Sequence, residues 1–171
     1  MAPRARCDFD QAPCPGDGQG REAALKEYSL PSAEATFSFG ERIGREARGG
    51  LVLALRGGLG AGKTVLAKGI ARGLGIDEEV TSPSYTIISE YEGRLRLHHV
   101  DAWRLADSEE FEAIGGPDLF ADREGVSVIE WSEKIEDILP PDAISIELQV
   151  REDDSRLALV AGSLPEGWFE A

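Results

Sequence analysis

The chain has 171 residues, 42% hydrophobic and 29% charged, the make-up of one ordinary globular domain with a single core. Its 18 Lys and Arg stand against 32 Asp and Glu, a formal charge of -14, which argues against tight autonomous binding to a phosphate backbone. No apolar run, Leu51 to Leu55 included, approaches the roughly 20 residues that span a bilayer. The N-terminal arginines are followed by no apolar stretch, so neither a membrane span nor a secretory signal is expected, and a cytoplasmic protein is.

Residues Met1 to Glu27 hold Pro3, Pro13, Pro15, Gly16, Gly18 and Gly20 and few large apolar side chains. Such a stretch cannot bury enough surface to offset the entropy of ordering, and a flexible extension is expected, with a partner-binding arm as the functional alternative. Both cysteines, Cys7 and Cys14, lie in it, so no disulfide framework holds the core. A zinc site would need more ligands than these two thiols, and His98 and His99 are the only histidines.

Residues 28–171 read as one domain. Tyr28 to Pro31 suits a short strand. Ser32 is a fitting N-cap for a helix with Ala35, Phe39, Ile43 and Ala47 at helical spacing, stopped by Gly49-Gly50. Leu51 to Leu55 predicts a buried strand, and Thr64 to Leu74 a helix that presents Leu66, Ile70 and Leu74 and ends at Gly75. Further strands are expected at Tyr85 to Tyr91, Leu95 to Val100, Val126 to Ile129, Ile144 to Val150 and Leu157 to Val160, with a helix from Ser108 to Ile114. Strands and helices alternate only in the first half. The pattern therefore predicts an α/β fold of the P-loop NTPase-like kind, its mixed sheet parallel near the nucleotide and antiparallel towards one edge, flanked by helices.

Gly57 to Thr64 fits G-x-x-x-x-G-K-[ST], a pattern expected roughly once per hundred chains of this composition by chance. Its position between an apolar strand and a helix is the one the motif demands. Gly57, Gly60, Ala61 and Gly62 let the backbone curl so that its N–H groups point at phosphate, and the helix N-terminus adds a favourable dipole. Lys63 reaches the terminal phosphates, and Thr64 offers its hydroxyl to Mg2+. A P-loop also needs an acid at a nearby strand end to hold the magnesium shell. Asp101 ends one predicted strand and Glu130 another. Glu130 is the better ligand on this pattern, and Asp101 fits the attacking water or the outer coordination sphere. The hydroxyl-rich segment Ser82, Pro83, Ser84, Tyr85 and Thr86 reads equally as a γ-phosphate switch or a plain turn. Trp103 and Trp131 at strand ends suit packing better than stacking on a base. His99, two residues before Asp101 on the same strand face, suits a structural role better than that of a base.

Together these blocks resemble the TsaE (YjeE) family over roughly Leu30 to Pro140. They are Ala35-Thr36 with Gly40; Leu59 to Thr64; Ser82 to Thr86; His99-Val100-Asp101-Ala102-Trp103-Arg104-Leu105; and Val128-Ile129-Glu130-Trp131. The P-loop is shared widely; the His-x-Asp-x-aromatic-Arg-Leu block followed by Glu-Trp is far more specific. The chain departs from the family at Gly58, where Asp is usual, at Trp103, where Tyr is usual, and at Val65, where Thr or Ser is common. Gly58 weakens any side-chain contact from that position and leaves the phosphate-cradling backbone intact.

The resemblance implies a slow ATPase that binds ATP and Mg2+ and docks on the TsaB–TsaD complex. That complex transfers a threonylcarbamoyl group to adenosine 37 of tRNA, a cycle the ATPase drives or resets. Carried over by position, the catalytic residues are Lys63, Asp101 and Glu130, with Thr64 and Glu130 at magnesium. ATP would be bound by Thr36, Gly57, Gly60, Ala61, Gly62, Lys63, Thr64 and Val65, Thr36 lying near the base. Trp131 and His99 would lie near the site, and Ser82 to Thr86 would act as the switch. The charge of -14 fits a protein that reaches tRNA through its partners. A small-molecule kinase is the competing class, weakened by the lack of an arginine-rich lid after Asp101; a nucleotide-gated binding module with negligible turnover is another. No guanine-reading Asn-Lys-x-Asp motif is present, in keeping with ATP.

Overall fold

The computed structural model describes residues 25–81 and 86–162. Seven strands form one sheet: β1 (Lys26–Leu30), β2 (Leu51–Arg56), β3 (Ile88–Tyr91), β4 (Arg96–Asp101), β5 (Gly125–Glu130), β6 (Ile144–Val150) and β7 (Arg156–Ala161), in the order β1-β7-β6-β2-β5-β4-β3. The four central strands β6, β2, β5 and β4 run parallel. Both flanks are antiparallel, β3 on β4 at one side and β7 between β6 and β1 at the other. The mixed sheet is thus the expected one, with antiparallel pairing at both edges and not at one alone.

β1 begins at Lys26, inside the stretch read as an extension, because Lys26 and Glu27 take their order from backbone pairing with Val160 and Leu159. Residues 1–24, with Cys7 and Cys14, lie outside the described residues. β3 is shorter than Tyr85 to Tyr91: Thr86 and Ile87 form a bend, and the strand starts at Ile88.

Helices α1 (Ala33–Glu46) and α2 (Lys63–Gly73) cover one face of the sheet. The Ser32 hydroxyl accepts from Ala35 N–H at 3.1 Å, the cap its residue type predicts. The apolar faces of both helices meet Leu53, Leu55, Leu97, Val128, Ile146 and Leu148 in the larger core. Their backbones also approach each other closely. A methyl group added at Gly40 would lie 2.4 Å from Leu66 O, and one at Gly44 2.1 Å from Ile70 O; Gly69 and Gly73 return the relationship against Phe37 O and Glu41 O. Glycines four apart on each helix therefore set the interhelical distance.

α1 ends at Glu46, before the Gly49-Gly50 stop signal. The Arg94 guanidinium, from the turn between β3 and β4, donates to the carbonyls of Gly44, Arg45 and Ala47. Its backbone N–H donates to Leu74 O at 2.8 Å, so this single turn closes the C-terminal ends of both helices.

The opposite face carries α3 (Ser108–Ala113), the short α4 (Asp118–Ala121) and two 3-10 turns, Ala102–Arg104 and Ser132–Ile138, the latter bent at Ile135. Phe111, Ile129, Val100 and Ile135 centre the smaller core there. Among the described residues no helix is long and apolar enough to cross a membrane.

Candidate functional site

The parallel strands β2, β5 and β4 bring their C-terminal ends, Arg56, Glu130 and Asp101, to one edge of the sheet, the usual place for a ligand in open α/β folds. The glycine loop leaves β2 there and enters α2. Gly57 adopts φ 131° and packs so closely on β6 that an added methyl would lie 2.4 Å from Leu148 O; Gly62, the residue before α2, adopts φ 106°. Both positions exclude a side chain, the first on space and backbone angle together, the second on angle.

An open cleft of about 350 Å3 lies over the loop, lined by Leu59 to Val65, Asp101, Trp103, Glu130 and Trp131. It gathers Gly60, Ala61, Gly62, Lys63, Thr64 and Val65 with both strand-end acids. Gly57 lies at the root of the loop. Thr36 is buried on α1, its hydroxyl donating to Ser32 O at 3.1 Å and its methyl 3.7 Å from where a side chain at Gly62 would start. It supports the loop from below and does not line the cleft. Ser82, Pro83, Ser84 and Tyr85 lie outside the described residues; Thr86 is exposed, its hydroxyl 3.3 Å from that of Ser89.

Lys63 is only 5% exposed. Its ammonium donates to Gly57 O at 2.6 Å and Gly58 O at 3.0 Å and sits 3.6 Å from the centre of the Trp131 ring. Burial lowers its pKa below the ordinary lysine range, and the negative charges of Glu130, Glu133 and Asp101 oppose that shift. Glu133 is a contributor that motif reading misses, since it lies beyond the strand end in a turn of no sequence signature.

Asp101 and Glu130 are register partners on adjacent strands and so project to the same face, yet their surroundings differ. Glu130 is 3% exposed. Its Oε2 accepts from the Thr64 hydroxyl at 2.9 Å, and its Oε1 lies 2.9 Å from His99 Nε2. Asp101 is half-buried, and its Oδ1 accepts from Trp103 N–H at 3.0 Å, starting the turn that carries that tryptophan.

Trp131 follows Glu130 in the left-handed region, at φ 58° and ψ 40°, a conformation costing roughly 1–2 kcal/mol for a side chain of this kind. The turn it opens is tied to β2, where Ser132 Oγ donates to Leu55 O at 3.3 Å. The left-handed residue folds the indole back over the loop, where it lies between Lys63 and the half-exposed Trp103 ring, 4.4 Å away. The tryptophans thus pack, as their type suggests, but on the cleft and on its lysine.

The hydroxyl of Thr64 and the carboxylate of Glu130 are hard oxygen donors of the kind magnesium takes, converging at the mouth of an anion-attracting loop. A buried strand, a glycine loop opening a helix, and an acid ending the neighbouring parallel strand define a P-loop NTPase-like α/β protein.

Within that class the chain belongs to the TsaE family. The family model described as "Threonylcarbamoyl adenosine biosynthesis protein TsaE" matches residues 30–158. The "tRNA threonylcarbamoyladenosine biosynthesis protein TsaE" of Treponema pallidum is 45% identical over 130 residues, covering 76% of this chain and 96% of that protein. Its namesake in Bacillus subtilis is 41% identical over 131 residues, covering 76% and 81%. A crystal structure of Bacillus subtilis YdiB superposes with a TM-score of 0.69 at 32% identity, covering 84% of this chain and 88% of that one.

Proposed function

We propose that this protein is a magnesium-dependent ATP-binding protein and slow ATPase of the cytoplasm. It would support a TsaB–TsaD complex in threonylcarbamoyl transfer to adenosine 37 of tRNA. The observation that carries the reading is the 2.9 Å contact between Thr64 Oγ1 and Glu130 Oε2, which joins the P-loop to a strand-end acid 66 residues away. The names of its relatives, all concerned with tRNA threonylcarbamoyladenosine, supply the pathway.

On this reading the backbone N–H groups of Gly60 to Thr64 receive the phosphates, and Lys63 turns from the Gly57 and Gly58 carbonyls to meet them. Thr64 and Glu130 would hold Mg2+, which when bound neutralises charge on the phosphate oxygens. Asp101, more open to water than Glu130, is the group to orient an attacking water. The surface charge of -14 leaves contact with tRNA to the partner proteins.

The test is ATP hydrolysis by the purified protein, alone and with TsaB–TsaD and tRNA. Strong stimulation, lost in Lys63→Ala, is expected. Unstimulated turnover with no complex formed would reduce the reading to a nucleotide binder of other purpose.

A further inference from the structure

We infer that His99 is a positioning residue for magnesium, fixing the Glu130 carboxylate through its Nε2 so that the other carboxylate oxygen faces Thr64. The inference rests on the reading of Thr64 and Glu130 as the magnesium ligands. It assigns to His99 a task that the motif does not specify.

The geometry is that of a clamp. β4 and β5 are parallel, with Asp101 opposite Glu130 and His99 opposite Val128, so the imidazole lies one pleat deeper on the same face as the carboxylate. His99 is fully buried, and its Nε2 lies 2.9 Å from Glu130 Oε1. Glu130 Oε2 is left for the Thr64 hydroxyl at 2.9 Å. The two oxygens are thereby divided between an inner, fully buried partner and an outer one that a cation can displace. With Glu130 ionised, Nε2 is the donor.

The other ring nitrogen shows why histidine stands here. Among the described residues His99 Nδ1 is buried with no hydrogen-bond partner. An orphaned buried polar atom costs roughly 1–3 kcal/mol, and Leu or Phe would fill the same space without it. A histidine that served only packing would be expected to satisfy both nitrogens or be replaced. Among the described residues its one side-chain hydrogen bond is to the candidate metal ligand. Groups that hydrogen-bond a ligating residue fix its orientation, and their loss typically costs about 10–100-fold in metal affinity.

The test compares wild type, His99→Leu and His99→Gln by calorimetric ATP titration across a series of Mg2+ concentrations and in EDTA, with thermal melts of each protein. Gln places an amide nitrogen close to where Nε2 stands; Leu removes the donor. We expect His99→Leu to raise the Mg2+ needed for half-maximal enhancement of ATP binding about tenfold, while binding in EDTA is unchanged. His99→Gln should return that midpoint to within about threefold of wild type. A His99→Leu midpoint equal to wild type, or a His99→Gln midpoint as weak as His99→Leu with a wild-type melt, overturns the inference and leaves the site reading standing. Failure of the wild type to show any Mg2+ dependence overturns the site reading, and the inference with it. Should His99→Leu not fold, His99→Met takes its place as the donor-free variant: a rise of about tenfold in its midpoint supports the clamp and a wild-type midpoint refutes it.

Discussion

Asp101 and Glu130 face the same side of the sheet from opposed positions on neighbouring strands, and the chain gives them different environments. Glu130 is closed in between Thr64 and His99; Asp101 is half-open and bonded to the backbone of Trp103. Two adjacent carboxylates held so differently suit two tasks. Glu130→Ala is expected to raise the Mg2+ requirement for nucleotide binding and leave metal-free binding unchanged. Asp101→Asn should keep nucleotide binding and lower turnover by about 100-fold, the low end for loss of a proton-handling group. Magnesium titrations and single-turnover hydrolysis separate the two; an Asp101→Asn turnover equal to wild type would remove Asp101 from the chemistry.

The low pKa of Lys63 gives nucleotide binding a pH dependence. Its cause is burial, opposed by Glu130, Glu133 and Asp101. The charged lysine is the form that meets phosphate, and bound phosphate would raise its pKa. Affinity is therefore full below the pKa of the free protein. It declines as pH rises through that value towards the higher one of the complex. The decline should begin at a lower pH than for an ordinary lysine. Lys63→Ala should abolish tight binding by removing a charge-assisted contact worth roughly 1.5–3 kcal/mol. Lys63→Arg, charged throughout, should flatten whatever alkaline slope remains. An ATP titration repeated across alkaline pH checks both, and a slope that is the same in Lys63→Arg would assign it to another group.

Much of the site was legible because it is local or periodic. The loop from Gly57 to Thr64, the cap at Ser32 and the acids that end β4 and β5 each announce themselves within a few residues. What was not legible depends on partners distant in the chain. The pairing of His99 with Glu130 needs the register of β4 on β5, which alternation alone does not set. The early end of α1 depends on Arg94, 47 residues beyond Ala47. The left-handed turn at Trp131 breaks a residue-type preference, and only the anchoring of Ser132 on Leu55 shows how it is held. α4 and the turn Ser132–Ile138 are too short or too bent to leave a helical period in the sequence.

Arg94 should prove one of the costlier surface-facing residues to remove. Its guanidinium closes three carbonyls at the negative end of α1, where a cation is favoured by both hydrogen bonding and the helix dipole. Arg94→Met keeps most of the aliphatic stem and removes the donors. A loss of about 1.5–3 kcal/mol is expected in urea denaturation, as for hydrogen bonds to a charged group. A change below about 0.5 kcal/mol would mean that water replaces the guanidinium without penalty.

Gly44 tests the helix pair on which the loop is mounted. A methyl group there would sit 2.1 Å from Ile70 O and 2.9 Å from Gly73 Cα, atoms of the α2 backbone that cannot rotate aside. Isolated from its neighbours, Gly44→Ala should favour the helix by about 1 kcal/mol, since alanine is the better helix former. Within the protein α1 and α2 must separate, and overpacking of this sort costs typically 1–3 kcal/mol and occasionally more. The clash wins, and net destabilisation is expected despite the gain in propensity. Because α2 begins at Lys63, the displacement also reaches the loop, so nucleotide affinity should fall together with stability. Gly75→Ala provides the contrast, with open space around its side-chain position and only a backbone angle of φ 78° to oppose it. It should lower stability through strain at the end of α2 and leave nucleotide affinity near wild type. Urea midpoints and ATP titrations of the two variants decide the matter, and a stabilised Gly44→Ala would show that the helices have slack the close approach denies.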